Sequence, residues 1–135
     1  MESAAHGVRC MAFGDLFLED VRKYREDQLR ATGINPIFPL WGTPTRELAE
    51  QMLSAGLEAY VSSVDLKKLP ARLAGKKWSR KLISELPEHI DPCGENGEIH
   101  TIAVGGPMFR SPISVRVGEI VERNGFAYAD IVPTN

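Results

Sequence analysis

The densest group of side chains with chemical potential lies between residues 91 and 101, in the segment Asp91-Pro92-Cys93-Gly94-Glu95-Asn96-Gly97-Glu98-Ile99-His100-Thr101. Gly94 and Gly97 can adopt backbone conformations closed to other residues and allow a ligand to approach the main chain. Glu95 and Glu98 are therefore predicted to stand on a tight loop, where carboxylates can bind a cation, orient an ammonium group or act as a general base. The alternative is a polar turn with solvated acids.

Cys93 lies beside this loop and has His89 and His100 as its nearest histidines in the chain. A catalytic cysteine needs a histidine adjacent in space, which a sequence does not establish, and a packing cysteine is the commoner case. The spacing of the three residues matches no common zinc-finger pattern, so no metal site is predicted.

A second candidate group lies at the ends of the first two predicted strands, where Asp15 opens a helix and Trp41 ends a strand. In open α/β sheets, ligands bind beyond the carboxyl ends of strands. Asp15 is either a ligand-binding residue or a helix N-cap, and Trp41 either stacks on a ligand or packs in the core. Arg22 and Arg25 can reach an anion or can form ion pairs on a solvated helix face.

A third group is basic and surrounds a predicted loop: Lys67, Lys68, Arg72, Lys76, Lys77, Arg80 and Lys81. It can dock an acidic macromolecule, or it can be an ordinary solvated surface. The chain has neither a Gly-x-x-x-x-Gly-Lys-Ser/Thr run nor a Gly-x-Gly-x-x-Gly run between a strand and a helix. No phosphate-cradling loop is therefore predicted.

The elements that must position these groups alternate in the first two thirds of the chain. Strands are predicted over 8–13, 37–41 and 59–64, and helices over 15–32, from Thr43-Pro44 to Gly56, and over 79–86. This alternation is typical of a parallel sheet with crossover helices. The apolar run over 8–13 predicts a buried first strand, and Asp15 and Gly33 are predicted to begin and end the first helix.

From Asp91 the helical periodicity disappears and glycine and proline become frequent. Strands are predicted over 99–104, 113–121 and 126–132, with Asn124-Gly125 as a hairpin turn between the last two. The fold class expected is therefore α/β, a partial parallel sheet with crossover helices followed by a β-rich tail. Residues 1–135 are predicted to form a single unit, with a βαβαβα part over 1–90 and the acidic glycine loop and tail over 91–135.

Composition excludes several classes of protein. The 135 residues are 43% hydrophobic, enough for one core, and carry a net charge of −2, which argues against a nucleic-acid binder driven by bulk charge. No apolar run is long enough to span a bilayer and no cleavable leader opens the chain, so no membrane association is expected. Two cysteines fit a reducing compartment, and a cytoplasmic location is expected.

Four motifs carry a resemblance to a known family: Phe13-Gly14-Asp15, Leu40-Trp41, Cys93-Gly94-Glu95-Asn96-Gly97-Glu98 and Pro107-Met108-Phe109. In this order and spacing they resemble the C-terminal half of proteins in the diphthine–ammonia ligase family. The members of that family are ATP pyrophosphatases of the adenine nucleotide alpha hydrolase-like superfamily. The resemblance extends from about Ala12 onward, and the acidic loop is its most specific part. It implies half of a doubly wound nucleotide-hydrolase-like fold.

The resemblance also implies a reaction. ATP, bound with Mg²⁺, adenylates a carboxylate, pyrophosphate leaves, and ammonia attacks the acyl-adenylate to form an amide. The family's acceptor is diphthine, a modified histidine of a translation elongation factor. The family's nucleotide loop, Ser-Gly-Gly-Lys-Asp-Ser, does not occur in this sequence.

The implied role is therefore the acceptor-binding half of a carboxylate–ammonia ligase, inactive alone. It is expected to associate with an N-terminal half-chain or with itself, and no direct nucleic-acid partner is expected. The alternative is a non-catalytic binding module or half of a split enzyme.

The residues that match the family's motifs inherit its suspected roles. Glu95 and Glu98 are implied as catalytic residues. Substrate binding is implied for Gly94, Asn96, Gly97, Asp15, Trp41 and His100. His100 departs from the family, whose best-known ligases carry a third acid there. An imidazole removes a negative charge and adds a possible donor, which leaves the acceptor open.

Overall fold

The computed structural model describes residues 5–134, which divide into two compact units. Within the described residues, the first unit ends at Pro44 and the second begins at Thr45. The boundary between the two units directly precedes a helix, and the predicted division near residue 90 stays a prediction.

The first unit contains a two-stranded parallel sheet connected by a helix. Strand β1 (Cys10–Ala12) pairs with β2 (Asn35–Ile37) in a register that places Cys10 opposite Asn35. Helix α1 (Glu19–Leu29) lies between them in the chain. The strand–helix–strand order and the parallel pairing are as predicted.

Three local predictions in this unit are wrong. β1 is not buried, since Cys10 and Ala12 are exposed on a strand whose sheet partner is β2. Helix α1 begins at Glu19 with Leu18 at the N-cap position, so Asp15 does not cap it. It ends at Leu29, and Gly33, although left-handed with φ +76°, lies in the turn beyond.

The second strand is also shorter than predicted. β2 ends at Ile37, and the chain then turns, with the Trp41 N–H donating to the Phe38 carbonyl at 3.1 Å. Pro39 has no N–H to donate to a sheet, which explains the early end. Trp41 therefore lies in a turn and not at the end of a strand.

The second unit is built on a four-stranded antiparallel sheet with strand order β4-β3-β6-β5. Its elements along the chain are α2 (Thr45–Ser54), β3 (Glu58–Asp65), a 3-10 helix (Ala71–Leu73), α3 (Arg80–Glu85), β4 (Ile99–Gly105), β5 (Val115–Arg123) and β6 (Phe126–Pro133). The fold is thus α/β with a partial parallel sheet, helices and a β-rich tail, as predicted. One detail is corrected, because β3 pairs antiparallel with β4 and β6 and does not extend the parallel sheet.

The core of the second unit centres on β3, whose Val61 and Val64 have no exposed surface. The helices and the turn after β3 cover these residues with Leu73, Trp78 and Leu82. Burial of each such side chain stabilises the folded state by about 1.5–3 kcal/mol.

Local sequence signals set several of the boundaries in this unit. Ser79 caps α3, and its hydroxyl accepts the Leu82 N–H at 3.1 Å. Asn124 and Gly125 both have positive φ, at 52° and 81°, between β5 and β6. This is the type I′ geometry that matches the twist of a hairpin, and the predicted Asn-Gly turn is confirmed.

Candidate functional site

The segment from Asp91 to Glu98, hereafter the acidic glycine loop, folds around the buried carboxylate of Asp91. One oxygen, Oδ1, accepts the Cys93 N–H at 3.0 Å, and Oδ2 accepts the Glu95 N–H at 2.8 Å. The Asp91 carbonyl accepts the Gly94 N–H at 3.0 Å. Sequence reasoning did not single out Asp91, although an aspartate that opens a glycine-rich turn commonly bonds the backbone that follows.

The two glycines of the loop serve different purposes. Gly94 has φ +70°, and a Cβ there would lie 2.3 Å from the Ile99 carbonyl oxygen. Its missing side chain is therefore needed for a close approach of the chain to itself. Gly97 has φ +80° with open space around it, so only its backbone conformation requires glycine. The predicted role of both residues in substrate binding stays a prediction.

Glu98 ends the loop and is 2% exposed. Its Oε2 accepts the Asp91 N–H at 2.9 Å, while Oε1 is buried and has no hydrogen-bond partner among the described residues. The alternative of a solvated turn acid is thus wrong for Glu98. A buried acceptor without a partner costs about 1–3 kcal/mol, so Oε1 would gain from any donor that reaches it.

A cleft of about 540 Å³, hereafter the Glu98 cleft, opens beside the loop. It is lined by Lys68, His89, Ile90, Asn96 and Glu98. The lining combines an ammonium and an amide N–H₂, which can hold a carboxylate, with a carboxylate, which can accept from an N–H donor. Lys68 was considered only as part of the basic cluster, and the fold brings it beside the loop.

Glu95 and His100 do not line this cleft. Glu95 is partly buried and is held at its backbone N–H by Asp91. His100 is exposed on β4, and its carbonyl accepts the Ser62 hydroxyl at 3.2 Å. The structure therefore brings together Asn96 and Glu98 from the predicted site residues, adds His89, and leaves Glu95 and His100 outside the lining of the Glu98 cleft.

Cys93 is partly buried, packs against the core and donates its Sγ–H to the Thr45 carbonyl at 3.4 Å. Burial, followed by the negative charges of Asp91 and Glu95, raises the pKa of the thiol to about 12. The nucleophilic form is the thiolate, which is scarce at neutral pH under these conditions. The packing interpretation is favoured over the nucleophile.

The candidate residues of the first unit form a separate cluster. Asp15 is 12% exposed in its side chain and accepts from Arg25 Nε at 3.3 Å. The Arg25 guanidinium lies 4.8 Å from the centroid of the Phe13 ring. Asp15 is thus neither an N-cap nor a free carboxylate, since it orients an arginine that rests on an aromatic ring.

Trp41 belongs to the same cluster through Arg22. The Arg22 guanidinium lies 4.8 Å from the Trp41 centroid and 4.5 Å from the Phe38 centroid. Phe38 in turn stacks on Phe13 with 5.7 Å between ring centroids. These contacts favour the packing interpretation of Trp41, and a ligand-binding role for Trp41 or Asp15 stays a prediction.

Within residues 5–134, no group of three or more His, Cys, Asp and Glu side chains is arranged to hold a metal ion. In the same residues, no helix has the length and apolar character that crossing a membrane requires.

Comparison with known proteins identifies relatives over most of the chain. Residues 44–132 match the family model described as diphthamide synthase C-terminal domain. The matched residues lie almost entirely in the second unit. The chain is 26% identical to the diphthine–ammonia ligase of Bos taurus over 122 residues, covering 84% of this chain and 45% of that protein. The Danio rerio diphthine–ammonia ligase is 28% identical over 120 residues, covering 84% of this chain and 47% of the relative.

A more distant member of the set is the Schizosaccharomyces pombe diphthine–ammonia ligase, 27% identical over 103 residues, or 73% of this chain and 17% of the yeast protein. The chain thus spans less than half the length of these curated relatives. The family resemblance carried by the four motifs is confirmed.

Proposed function

We propose, because the chain belongs to the diphthamide synthase C-terminal domain family, that it is the acceptor-binding part of an ATP-dependent amide ligase. The reaction in question is adenylation of a carboxylate with release of pyrophosphate, followed by attack of ammonia. Its site is the Glu98 cleft, and the reaction takes place in the cytoplasm.

The Glu98 cleft is the observation that carries this proposal. Its lining contains Lys68 and Asn96, which can donate, and Glu98, whose buried Oε1 has no donor among the described residues. An amide ligase must hold a carboxylate and an amine-type nucleophile close together, and orientation of this kind lowers the barrier of a bimolecular step. The lining contains donors that can hold the carboxylate and an acceptor for the N–H of the nucleophile.

ATP does not fit the acidic glycine loop. The N–H groups of Cys93, Gly94, Glu95 and Gly97 are bonded within the loop itself, and Asp91, Glu95 and Glu98 add negative charge. A triphosphate needs free backbone N–H groups and cations. The nucleotide and its Mg²⁺ would therefore be held by a nucleotide-binding part, on the same polypeptide or another.

The acceptor proposed is a carboxylate on a protein side chain, diphthine of a translation elongation factor being the first candidate. Glu98 is the proposed catalytic residue of the cleft, and a catalytic role for Glu95, which does not line it, stays a prediction. Gly94 and Gly97 shape the loop that carries Asn96 and Glu98. His100 would face the rest of a protein acceptor from the exposed surface of β4.

The nucleotide-binding part would complete the parallel sheet of the first unit. Parallel sheets are normally covered on both faces, and two strands alone are marginal. Since Cys10, Ala12 and Ile37 are exposed on β1 and β2, a further strand or a second copy of this chain would stabilise the pair.

The competing proposal is a binding module without catalysis. It is favoured by the donors in the lining of the Glu98 cleft, which can hold a carboxylate whether or not a nucleotide is bound. A module would use the Glu98 cleft to recognise a ligand without any associated nucleotide hydrolysis.

Glu98→Gln separates these proposals when the chain is combined with the nucleotide-binding half of a diphthine–ammonia ligase. The variant keeps the shape of the side chain and removes its charge, so we expect amide formation to fall by roughly a hundredfold while ATP affinity stays within about twofold. Glu88→Gln, at an exposed glutamate outside the Glu98 cleft, is the matched control. Equal losses of amide formation and ATP binding would overturn the acceptor-side role, and binding of a carboxylate ligand without amide formation in any combination would favour the module.

A further inference from the structure

A second cleft, of about 350 Å³, lies in the second unit. Four basic side chains line it, Arg72, Lys76, Lys77 and Lys81, and it is hereafter the cationic cleft. Its lining contains a single acid, Glu85, which already pairs with Arg72 at 3.3 Å. Lys76, Lys77 and Lys81 form no ion pair with any described residue, which concentrates positive charge on a chain whose net charge is −2.

Arg80, another member of the basic group, is already ion-paired. Its guanidinium bonds both oxygens of Glu50, at 2.7 and 3.0 Å, and this contact holds the pKa of Glu50 below its usual value. Of the seven residues in the predicted basic group, four line the cationic cleft, Arg80 is ion-paired outside it, and Lys67 and Lys68 do not line it.

The backbone that carries Lys76 and Lys77 is fixed on both sides. The Gly75 N–H donates to the Val61 carbonyl at 2.8 Å, and the Val61 N–H donates to the backbone carbonyl of Lys76 at 2.8 Å. After them, the Trp78 N–H donates to the Ala59 carbonyl at 2.9 Å. The two lysines are thus held at fixed backbone positions, which reduces the entropy lost when a ligand binds.

The lining favours a carboxylate ligand over a phosphate ligand. Three backbone N–H groups of the lining, those of Leu73, Lys76 and Leu82, are already bonded to protein oxygens and are not open to a phosphate. The cleft already holds one carboxylate, that of Glu85, on Arg72.

The lining also favours a polypeptide over a nucleic acid. None of the residues that form this cleft is aromatic, so bases would have no stacking platform. Leu73 and Leu82 contribute apolar surface between the charged side chains. Acidic side chains alternating with an apolar one match such a surface.

We propose that the cationic cleft binds an acidic segment of a partner polypeptide, with its carboxylates on Lys76, Lys77 and Lys81 and an apolar side chain against Leu73 and Leu82. This proposal does not depend on the ligase reaction, because neither Glu98 nor the acidic glycine loop lines this cleft.

The test is binding of a fluorescently labelled, glutamate-rich peptide with interspersed leucines, followed by anisotropy with the intact chain at low and high salt. We expect binding that weakens with salt and falls at least about tenfold in the double variant Lys76→Glu/Lys77→Glu. The double variant Lys76→Arg/Lys77→Arg, which keeps the charge, should retain it. Lys76 and Lys77 are both exposed, and circular dichroism will verify that each variant is folded.

The matched control is Arg110→Glu/Arg116→Glu, the same change of charge at two exposed positions outside the cleft. Binding should be unchanged in that variant and absent for a peptide with glutamine in place of glutamate. The proposal is overturned if Arg110→Glu/Arg116→Glu weakens binding of the peptide as much as Lys76→Glu/Lys77→Glu does. It is also overturned if inorganic pyrophosphate or a single-stranded RNA of equal charge binds the cleft more tightly than the peptide.

Discussion

The two units of this chain differ in how their sheets are covered. In the second unit, β3 lies between β4 and β6, and its Val61 and Val64 are completely buried. In the first unit, the two parallel strands each have two of their three residues exposed. The contrast indicates that the second unit contains its own core, whereas the first depends more on its helix and on the arginine–aromatic cluster.

The largest effect expected on the second unit comes from Gly94→Ala. A Cβ at this position would lie 2.3 Å from the Ile99 carbonyl oxygen, at φ +70°. Since backbone must move to relieve the contact, we expect a loss of about 3 kcal/mol or more in the free energy of unfolding. Urea denaturation followed by circular dichroism measures it.

Gly97→Ala is the matched variant, with φ +80° and no atom near the added methyl group. It should cost only about 1–2 kcal/mol, the strain of a left-handed alanine. Equal effects of the two variants would mean that the loop is not packed against Ile99 as described.

Hydrogen exchange tests the contrast between the units directly. We expect the amides of Phe13 and Asn35, which bond across β1 and β2, to exchange at least about a hundredfold faster than those of Val61 and Trp78 in the core of the second unit. The reason is that few buried side chains oppose local opening of the first sheet. Comparable protection in both units, measured by NMR on the intact chain, would remove the basis of the comparison.

The two cysteines report on the same contrast through their reactivity. Cys10 is exposed in the first unit, while Cys93 in the second has a pKa raised to about 12 by burial and by the charges of Asp91 and Glu95. At pH 8 we expect iodoacetamide to label Cys10 and to leave Cys93 nearly untouched, as peptide mass spectrometry can determine.

The pH dependence of Cys93 follows from the direction of its shift. A thiol whose pKa is raised on folding keeps its full stabilisation below the unfolded pKa, near 9, and the folded state loses stability as the pH rises from there towards about 12. Labelling of native Cys93 should increase about tenfold per pH unit over this interval. A plateau already near pH 9 would contradict the buried thiol.

The smallest effect is expected at the arginine–aromatic cluster. Arg22→Ala removes a guanidinium that lies over both Phe38 and Trp41, and we expect the first unit to lose about 1 kcal/mol. Lys23→Ala removes an exposed i,i+4 pair with Asp27 and should cost about 0.3–0.5 kcal/mol. Exchange rates of the β1–β2 amides measure both, and indistinguishable effects would mean that the stacking contributes nothing.

Local chemistry made part of the fold predictable. The Asn124-Gly125 turn, the strand near Ala59–Val64 and the helix after Ser79 follow from turn propensity, β-branched residues and capping. The strands that pair with β3 could not be predicted from the sequence. The antiparallel pairing of β3 joins Ser63 to Tyr128 across more than sixty residues of chain, and alternating strands and helices suggest a parallel sheet unless such contacts are known.

The candidate site divides in the same way. The acidic glycine loop stands out because its carboxylates and glycines are contiguous in the chain. The role of Lys68 could not be predicted, since the fold brings it to Glu98 from thirty residues away. The sequence also predicts that Trp41 and Asp15 lie at a sheet edge, but it does not predict their contacts with Arg22 and Arg25.

The most direct test of the central claim is the formation of AMP and pyrophosphate from ATP, measured with the purified chain alone and again with the nucleotide-binding half of a diphthine–ammonia ligase, a carboxylate acceptor and ammonia. The account predicts no AMP from the chain alone and acceptor-dependent AMP together with amide in the mixture. AMP and pyrophosphate released by the chain alone, from material free of contaminating enzyme, would contradict it.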